Sequence, residues 1–528
     1  MKSRQVIVLL SAALLLNGCD PADLFLSPED SAQMTFDHKD QRYDTEQVRV
    51  MISELQSVWN SDREDTVSSL IDGLTAAADD AAAVFHRAEM QYYADWENKD
   101  LSDLHDQTKQ DYYEVVRMVN WAFANGSRKS RYAELFKPLL NSDDTDYYLA
   151  NSLSRVSSNA RSEANRSGER LDDYYDTVYR TDSTVSESND ACAKLYLATL
   201  EEYDTSDYLY PYYSRDYTAS DVSAAYQEIL RSFVPVYDAV QNTVQSDSRY
   251  EQLAAGRFAV EKPFDVIGTY AAGISPQLDV SIRKLLDESL YTVATGSKCY
   301  DGCYTVNFPR ERSARIYLFQ AGDYYDFCSA VHEFGHFHSD WRDTTPSLLQ
   351  ETCVDIAEIQ SQGLEMLFTH YYDEIYGSDA AFLELIQIYN MLDSVVTGFS
   401  VGEFEKEVMQ HKEEYSAEDV RNTFEQYRSK SGFPMELYQI THLYEQPGYY
   451  ISYGVSALAA LQIYVSMLSD FALGSDLYEK ISEVPTFSGE YQLRGALKQC
   501  GFPDVFSPET MQAVAESILA RVDALTDR

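Results

Sequence analysis

At 528 residues, with 86 acidic against 42 basic side chains, the chain carries a formal charge of −44 and is long enough to bury a sizeable core. That balance excludes nucleic acid as a partner, because such binding draws on clustered Lys and Arg to displace counterions. It is equally unlike a polybasic membrane-binding surface. Most of the acids read as a solvated exterior that keeps a monomer soluble and can draw in cationic peptides.

The first element is a processing signal. Lys2 and Arg4 form a basic start, Val6 to Leu16 is an apolar run too short to span a bilayer, and Leu16-Asn17-Gly18-Cys19 has the form of a bacterial lipobox. Residues 1–19 are therefore expected to be a lipoprotein signal peptide. Cys19 would be the lipidated residue that anchors an exported protein to a bacterial membrane. Asp20 to Tyr43, with Pro21 and Pro28, reads as a tether. No other apolar run is expected to span a membrane.

Beyond it, Val48, Met51, Ile52, Leu55, Val58 and Trp59 follow the spacing of an amphipathic helix. Further helices are predicted over Asp80–Trp96, Asp111–Ala124 and Ala191–Tyr203, and another near Ser220–Val240. Ser152–Asp173, rich in Ser, Asn and Arg, is predicted to be a break or exposed connection. Strand-like alternation occurs only around Tyr300–Phe319, and no solenoid-type repeat is evident. The expectation is a mostly α protein: a helical lobe over residues 44–270, then a lobe with a small sheet over residues 271–528.

Within that second lobe, Val331-His332-Glu333-Phe334-Gly335-His336 contains an HExxH motif. On a helix, residues four apart share a face, so His332 and His336 can direct two imidazoles at one metal ion. Glu333, one residue round, can take a proton from a water activated by that metal. Catalytic zinc normally takes a third protein ligand. Leu348 to Phe368 is a second helical stretch and offers Glu351, Asp355, Glu358 and Glu365. Spacing does not choose among them, since Glu351, Glu358 and Glu365 are seven apart and would share a face. Glu351 and Asp355 are expected to be solvated or first-turn carboxylates. His338 is expected to be a cleft-wall or solvated residue, and His38, His86, His105, His370 and His411 have no motif company.

The last candidate block is His442 followed by Pro447-Gly448-Tyr449-Tyr450-Ile451-Ser452-Tyr453. As water attacks a carbonyl, its oxygen becomes negative, and a phenol or imidazole placed to meet that charge lowers the barrier. Tyr450 and Tyr453, or Tyr449 and Tyr453, can share one helix face. Tyr-Tyr pairs recur along this chain, so the pair by itself reads as packing.

Together these segments resemble the thimet oligopeptidase and oligoendopeptidase F family of zinc peptidases. Ala357-Glu358-Ile359-Gln360-Ser361-Gln362-Gly363-Leu364-Glu365 is similar to the family's second zinc helix. That resemblance implies Glu358 as third ligand and Glu365 as the carboxylate that orients a ligand imidazole. Tyr213-Ser214-Arg215-Asp216-Tyr217 resembles an Arg-Asp-Tyr segment ahead of the catalytic part. Tyr300–Thr305, Arg315–Phe319, Glu403–Val408 and the His442–Tyr453 block have counterparts too. The resemblance covers roughly residues 200–470 and implies helical lobes enclosing a deep zinc cleft. It also implies one Zn2+ per chain, peptide substrates, and His442, Tyr450 and Tyr453 acting on the oxyanion. The strand near Tyr304–Asn307 would pair with the substrate backbone.

Six cysteines follow Cys19, too few for a disulfide framework. Cys299 with Cys303, or Cys328 with Cys353, are the pairs whose placement would permit a bridge. The reading is a zinc endopeptidase for short peptides. Its rivals are a carboxypeptidase or dipeptidyl carboxypeptidase on the same scaffold, and a non-catalytic peptide-binding lipoprotein.

Overall fold

The structure is a computed structural model that describes residues 42–140, 145–166, 183–201 and 215–526. Cys19 and the signal segment, the tether up to residue 41, residues 167–173 and 202–203, and Tyr213 and Ser214 lie outside the described residues.

Two large hydrophobic cores organise the described residues. The smaller is built by α1 (Thr45–Val58), α2 (Glu64–Ala94), α3 (Lys99–Lys129) and α4 (Leu153–Arg166). Asp44 caps α1 by accepting from Glu46 N, and Val48, Ile52, Leu55 and Val58 bury the expected stripe. Asn98 caps α3, and Arg128 and Lys129 sit in its last turn, where the helix dipole favours cations. Both long helices begin well before their predicted starts, and α3 also runs past its predicted end.

Helix α4 corrects the expectation of a break. Val156, Ala160 and Ala164, four apart, are buried. Its polar residues pair with α3: Arg161 Nε donates to Glu114 Oε2 over 2.7 Å, and Arg117 NH2 to Glu163 Oε1 over 2.6 Å. The Ser, Asn and Arg content reflects interhelical pairing rather than a loop.

The larger core runs from Cys192 to Leu525. It begins with α5 (Val185–Leu200), α6 (Ala219–Ser232) and α7 (Val234–Ser246). The single helix expected near Ser220–Val240 is thus two, divided at Phe233, with Pro235 in the first turn of α7, where its missing N–H costs nothing. Helices α8 (Pro263–Ile274) and α9 (Pro276–Asp287) lead to a three-stranded sheet of order β1-β3-β2. Strand β1 (Tyr291–Thr295) runs parallel to β3 (Ser313–Gln320), and β2 (Tyr304–Phe308) runs antiparallel to it, Thr305 facing Ile316. The predicted strand region holds β2 and β3. Strand β1 was not expected, because its five residues show no alternation of buried and exposed positions.

The sheet packs on α10 (Tyr325–Asp340), which packs in turn on α11 (Val354–Phe368). All of α11 is buried. At their crossing, a Cβ on Gly335 would fall 2.6 Å from Gln360 O and from Ser361 Cα, so the glycine in HEFGH lets two backbones touch. The long α12 (Ala380–His411), α13 (Ala417–Ser431), the one-turn α14 (His442–Glu445) and α15 (Tyr450–Ser469) follow. By length and composition α15 could cross a membrane, contrary to the expectation that no such run remains, but 78% of its apolar window is buried inside the protein. It is the central core helix. Helices α16 (Phe471–Ser482), α17 (Leu493–Cys500) and α18 (Pro508–Thr526) complete the chain.

Candidate metal centre and the tyrosine block

Helices α10 and α11 bring His332, His336 and Glu358 together, all at 4% exposure or less. The two Nε2 atoms lie 3.2 Å apart, and Glu358 Oε2 lies 3.5 Å from His332 Nε2 and 4.0 Å from His336 Nε2. A tetrahedral zinc with bonds of roughly 2.0–2.1 Å spaces its ligands by roughly 3.3–3.5 Å; two of the three spacings match this closely, and a shift of about half an ångström in Glu358 would bring in the third. Donor chemistry agrees, with two imidazoles and one carboxylate.

Partners around the triangle fix its orientation. His332 Nδ1 lies 2.7 Å from Glu365 Oε1, which assigns the proton to Nδ1 and leaves Nε2 with its lone pair inward. Glu365 Oε2 accepts from Gln387 Nε2 over 2.9 Å, and Cys328 Sγ donates to Gln387 Oε1 over 3.4 Å. Glu358 Oε1 accepts from the Tyr449 hydroxyl over 2.7 Å, which turns Oε2 to the histidines. Glu333 Oε2 accepts from Thr305 Oγ1 on β2 over 2.8 Å, while Glu333 Oε1 is buried with no hydrogen-bond partner. One oxygen of the candidate base is therefore held and the other is free.

The electrostatics suit a cation. Burial pushes the Glu333 carboxyl up to about 8, helped by Glu358 and Glu365 and opposed by His332 and Thr305. Burial also raises Glu358, against the pull of His332 and Tyr449. For His332, burial pulls down, but the neighbouring carboxylates Glu365, Glu358 and Glu333 outweigh it and raise the imidazole to about 9. Three acids crowded in a dry site share too little positive charge, and a divalent cation would supply it.

The tyrosine block forms one wall. The His442 ring sits 4.9 Å from Tyr449, 5.7 Å from Tyr450 and 5.5 Å from Tyr453. Tyr453 Oη lies 3.4 Å from His442 Nε2, and Glu358 and Glu333 both act on this hydroxyl. Burial pulls His442 down to about 4 and lifts Tyr453 well above its usual value, so both remain neutral donors at neutral pH. Tyr450 is oriented differently, its hydroxyl donating to Met435 Sδ over 3.4 Å.

This block is held from two sides. The guanidinium of Arg215, fully buried, donates to Gly448 O over 2.9 Å and to Ser452 Oγ over 2.6 Å, and lies 3.6 Å from Asp355 Oδ1 at the start of α11. From α12, Glu405 Oε1 accepts from Gly448 N over 2.7 Å. The Arg-Asp-Tyr and acidic-aromatic segments thus converge on one glycine. Asp216 accepts from Arg494 N and Gly495 N at the start of α17.

Several expectations need correction. Asp355 is a first-turn carboxylate of α11, one of the two expectations for it, but it is buried and paired with Arg215 and Tyr217 rather than solvated. Glu351 is exposed and precedes α11, so it shares no face with Glu358. His338 is neither cleft wall nor solvated: it is fully buried, its Nδ1 lies 2.8 Å from Ser281 Oγ, and its ring stacks on Tyr478. All six described cysteines are free thiols, Cys299 Sγ donating to Gly296 O and Cys303 Sγ to Phe319 O. Sequence reasoning missed Thr305 and Gln387, and gave Tyr449 no contact with Glu358. A signal existed for Gln387, an amide within the otherwise apolar run Leu385–Tyr389.

No family model matches the chain, and no curated protein matches it. Solved structures do. A Bacillus anthracis str. Ames protein assigned as an oligoendopeptidase F superposes with a TM-score of 0.70 at 15% identity, covering 93% of this chain and 98% of that one. A PZ peptidase A solved with an inhibitor gives 0.68 at 12% identity, covering 92% and 98%. A carboxypeptidase from Deinococcus radiodurans gives 0.58 at 14% identity, covering 86% and 99%. The chain has the mostly helical fold of these peptidases, with its small sheet.

Proposed function

We propose that this chain, which shares the fold of oligoendopeptidase F, is a zinc-dependent endopeptidase hydrolysing internal bonds of short, unstructured peptides. The observation that carries the reading is the triangle of His332 Nε2, His336 Nε2 and Glu358 Oε2, with the free Glu333 Oε1 beside it. Bound zinc would act as a Lewis acid on water and on the scissile carbonyl. Glu333 Oε1 accepts a proton from the attacking water and later passes it to the leaving amine, while Thr305 keeps its other oxygen in place. Tyr453 and His442 donate to the carbonyl oxygen as it becomes negative, with Tyr449 reserved for Glu358. Tyr450 turns its hydroxyl to Met435, so a role on the oxyanion would require it to swing inward.

Strand β2 is an edge strand of the sheet, and Thr305 within it touches Glu333. A peptide paired along that edge would lie across the base. The carboxypeptidase relative raises exopeptidase action as the second reading. Gripping a terminal carboxylate takes a cation, and Arg215, the guanidinium bonded to this block, is already engaged with Gly448, Ser452 and Asp355.

The basic start, short apolar core and Leu16-Asn17-Gly18-Cys19 support export and a lipid anchor at Cys19, and the acidic charge supports a monomer. Metal analysis of the purified protein, with mass spectrometry of a mixed peptide pool after incubation, tests the whole reading. Internal cleavage by a protein with one zinc per chain is expected. Stepwise loss of C-terminal residues would favour the second reading, and no cleavage by the zinc-loaded protein would reject both.

A further inference from the structure

Resting on that peptidase reading, we propose that Glu445 is a specificity-determining residue that selects peptides carrying a cationic group next to the scissile bond. Glu445 ends the one-turn helix α14, three residues after His442, so both side chains leave the same face of that turn. Tyr444 between them points elsewhere, its hydroxyl donating to Leu437 O. The charge of Glu445 is felt at the Tyr453 hydroxyl, after those of Glu358 and Glu333. It shares its turn with His442, whose ring packs on Tyr453, and this puts it next to the tyrosine block.

What sets Glu445 apart is its company. Four acids nearest the tyrosine block are engaged: Glu358 by Tyr449, Glu365 by His332 and Gln387, Glu405 by Gly448 N, Asp355 by Arg215 and Tyr217. Among the described residues, the Glu445 carboxylate has no hydrogen bond and no ion pair, and burial alone pushes it up to about 7. A half-buried carboxylate without a cation is unfavourable unless something arrives to pair with it. A lysine or arginine side chain of the substrate, or its α-ammonium, would do so. The overall charge of −44 adds long-range attraction for the same peptides.

The test compares the zinc-loaded full-length protein with Glu445→Gln and Glu445→Lys on one neutral fluorogenic peptide. Companions of that peptide carry a single Lys or a single Glu at each position, with free and acetylated N-termini. The wild type should favour Lys at one position by about tenfold in kcat/KM over the neutral peptide. That ratio should collapse toward one in Glu445→Gln and invert toward Glu peptides in Glu445→Lys. A preference abolished by acetylation would identify the α-ammonium as the cation, and one that survives would identify the side chain. A wild type that cleaves peptides without any charge preference would overturn the assignment of Glu445 and leave the peptidase reading standing. A preference unchanged in both variants would do the same. A wild type that cleaves none of the peptides would overturn the peptidase reading, and this inference with it.

Discussion

Glu351 and Glu358 are one heptad apart in the sequence, yet the first is exposed and the second fully buried, because α11 starts only at Val354. Glu358→Ala should therefore strip the site of zinc, while Glu351→Ala should leave it nearly intact. Elemental analysis of both purified variants checks this. For Glu333, the free Oε1 makes a narrower claim. Glu333→Gln preserves shape and leaves the three ligands in place, so metal content should persist while turnover falls by about 10²–10⁴. A zinc-loaded Gln variant with near-normal kcat would refute Glu333 as the base. His332, Glu333 and His336 were legible in the sequence because their chemistry and spacing sit on one helix. The third ligand was not legible from spacing, and only the resemblance separated Glu358 from three other acids. Thr305 and Gln387 were hidden for a different reason. Each acts through a contact between elements distant in the chain, Thr305 28 residues and Gln387 22 residues from its partner.

At the scale of elements, the site is a crossing of helices, and its precision depends on what clamps them. Arg215 links the start of α11 to the turn before α15 through Asp355, Gly448 and Ser452. Arg215→Lys keeps the charge but loses the planar group that holds Gly448 and Ser452 through one nitrogen while its Nε faces Asp355. The expected result is retained zinc, with kcat lowered by about tenfold to a hundredfold as Tyr453 and His442 lose their setting. Metal content, kcat and thermal melting measured on one preparation separate the possibilities. A variant that melts earlier but turns over normally would reduce Arg215 to a structural brace. The long helices were legible from their stripes. Helix α4 was not, because its apolar face is only Val156, Ala160 and Ala164 and its partners on α3 are polar. Strand β1 was not, because pairing with β3 rather than its own pattern defines it.

For the whole molecule, the smaller core is joined to the larger through α2 and the sheet. Ser347 N and Oγ donate to Asp79 Oδ1, and Tyr300 N and the Tyr317 hydroxyl both donate to Tyr93 O. The candidate ligands are exposed by 4% or less, which suits a narrow extended chain better than the surface of a folded domain. An unstructured peptide should therefore be cleaved far faster than the same sequence embedded in a folded domain, as gel and mass-spectrometric time courses would show. Comparable rates would mean an open site. Membrane fractionation tests the anchor: Cys19→Ala should release the protein or stop its maturation, and unchanged detergent partitioning would contradict lipidation. The clamp on Gly448 carries one more consequence, for the order in which the protein matures. Its parts are Arg215, Asp355, Glu405 and Gly448, so closing it joins positions more than 230 residues apart. Contacts of such long range form late, after the local helices that carry them. A half-folded chain therefore holds the histidines of HEFGH but not the finished wall opposite them. On the proposed reading, hydrolytic competence would arrive only with the completed fold, and nascent copies crowded together would be spared one another.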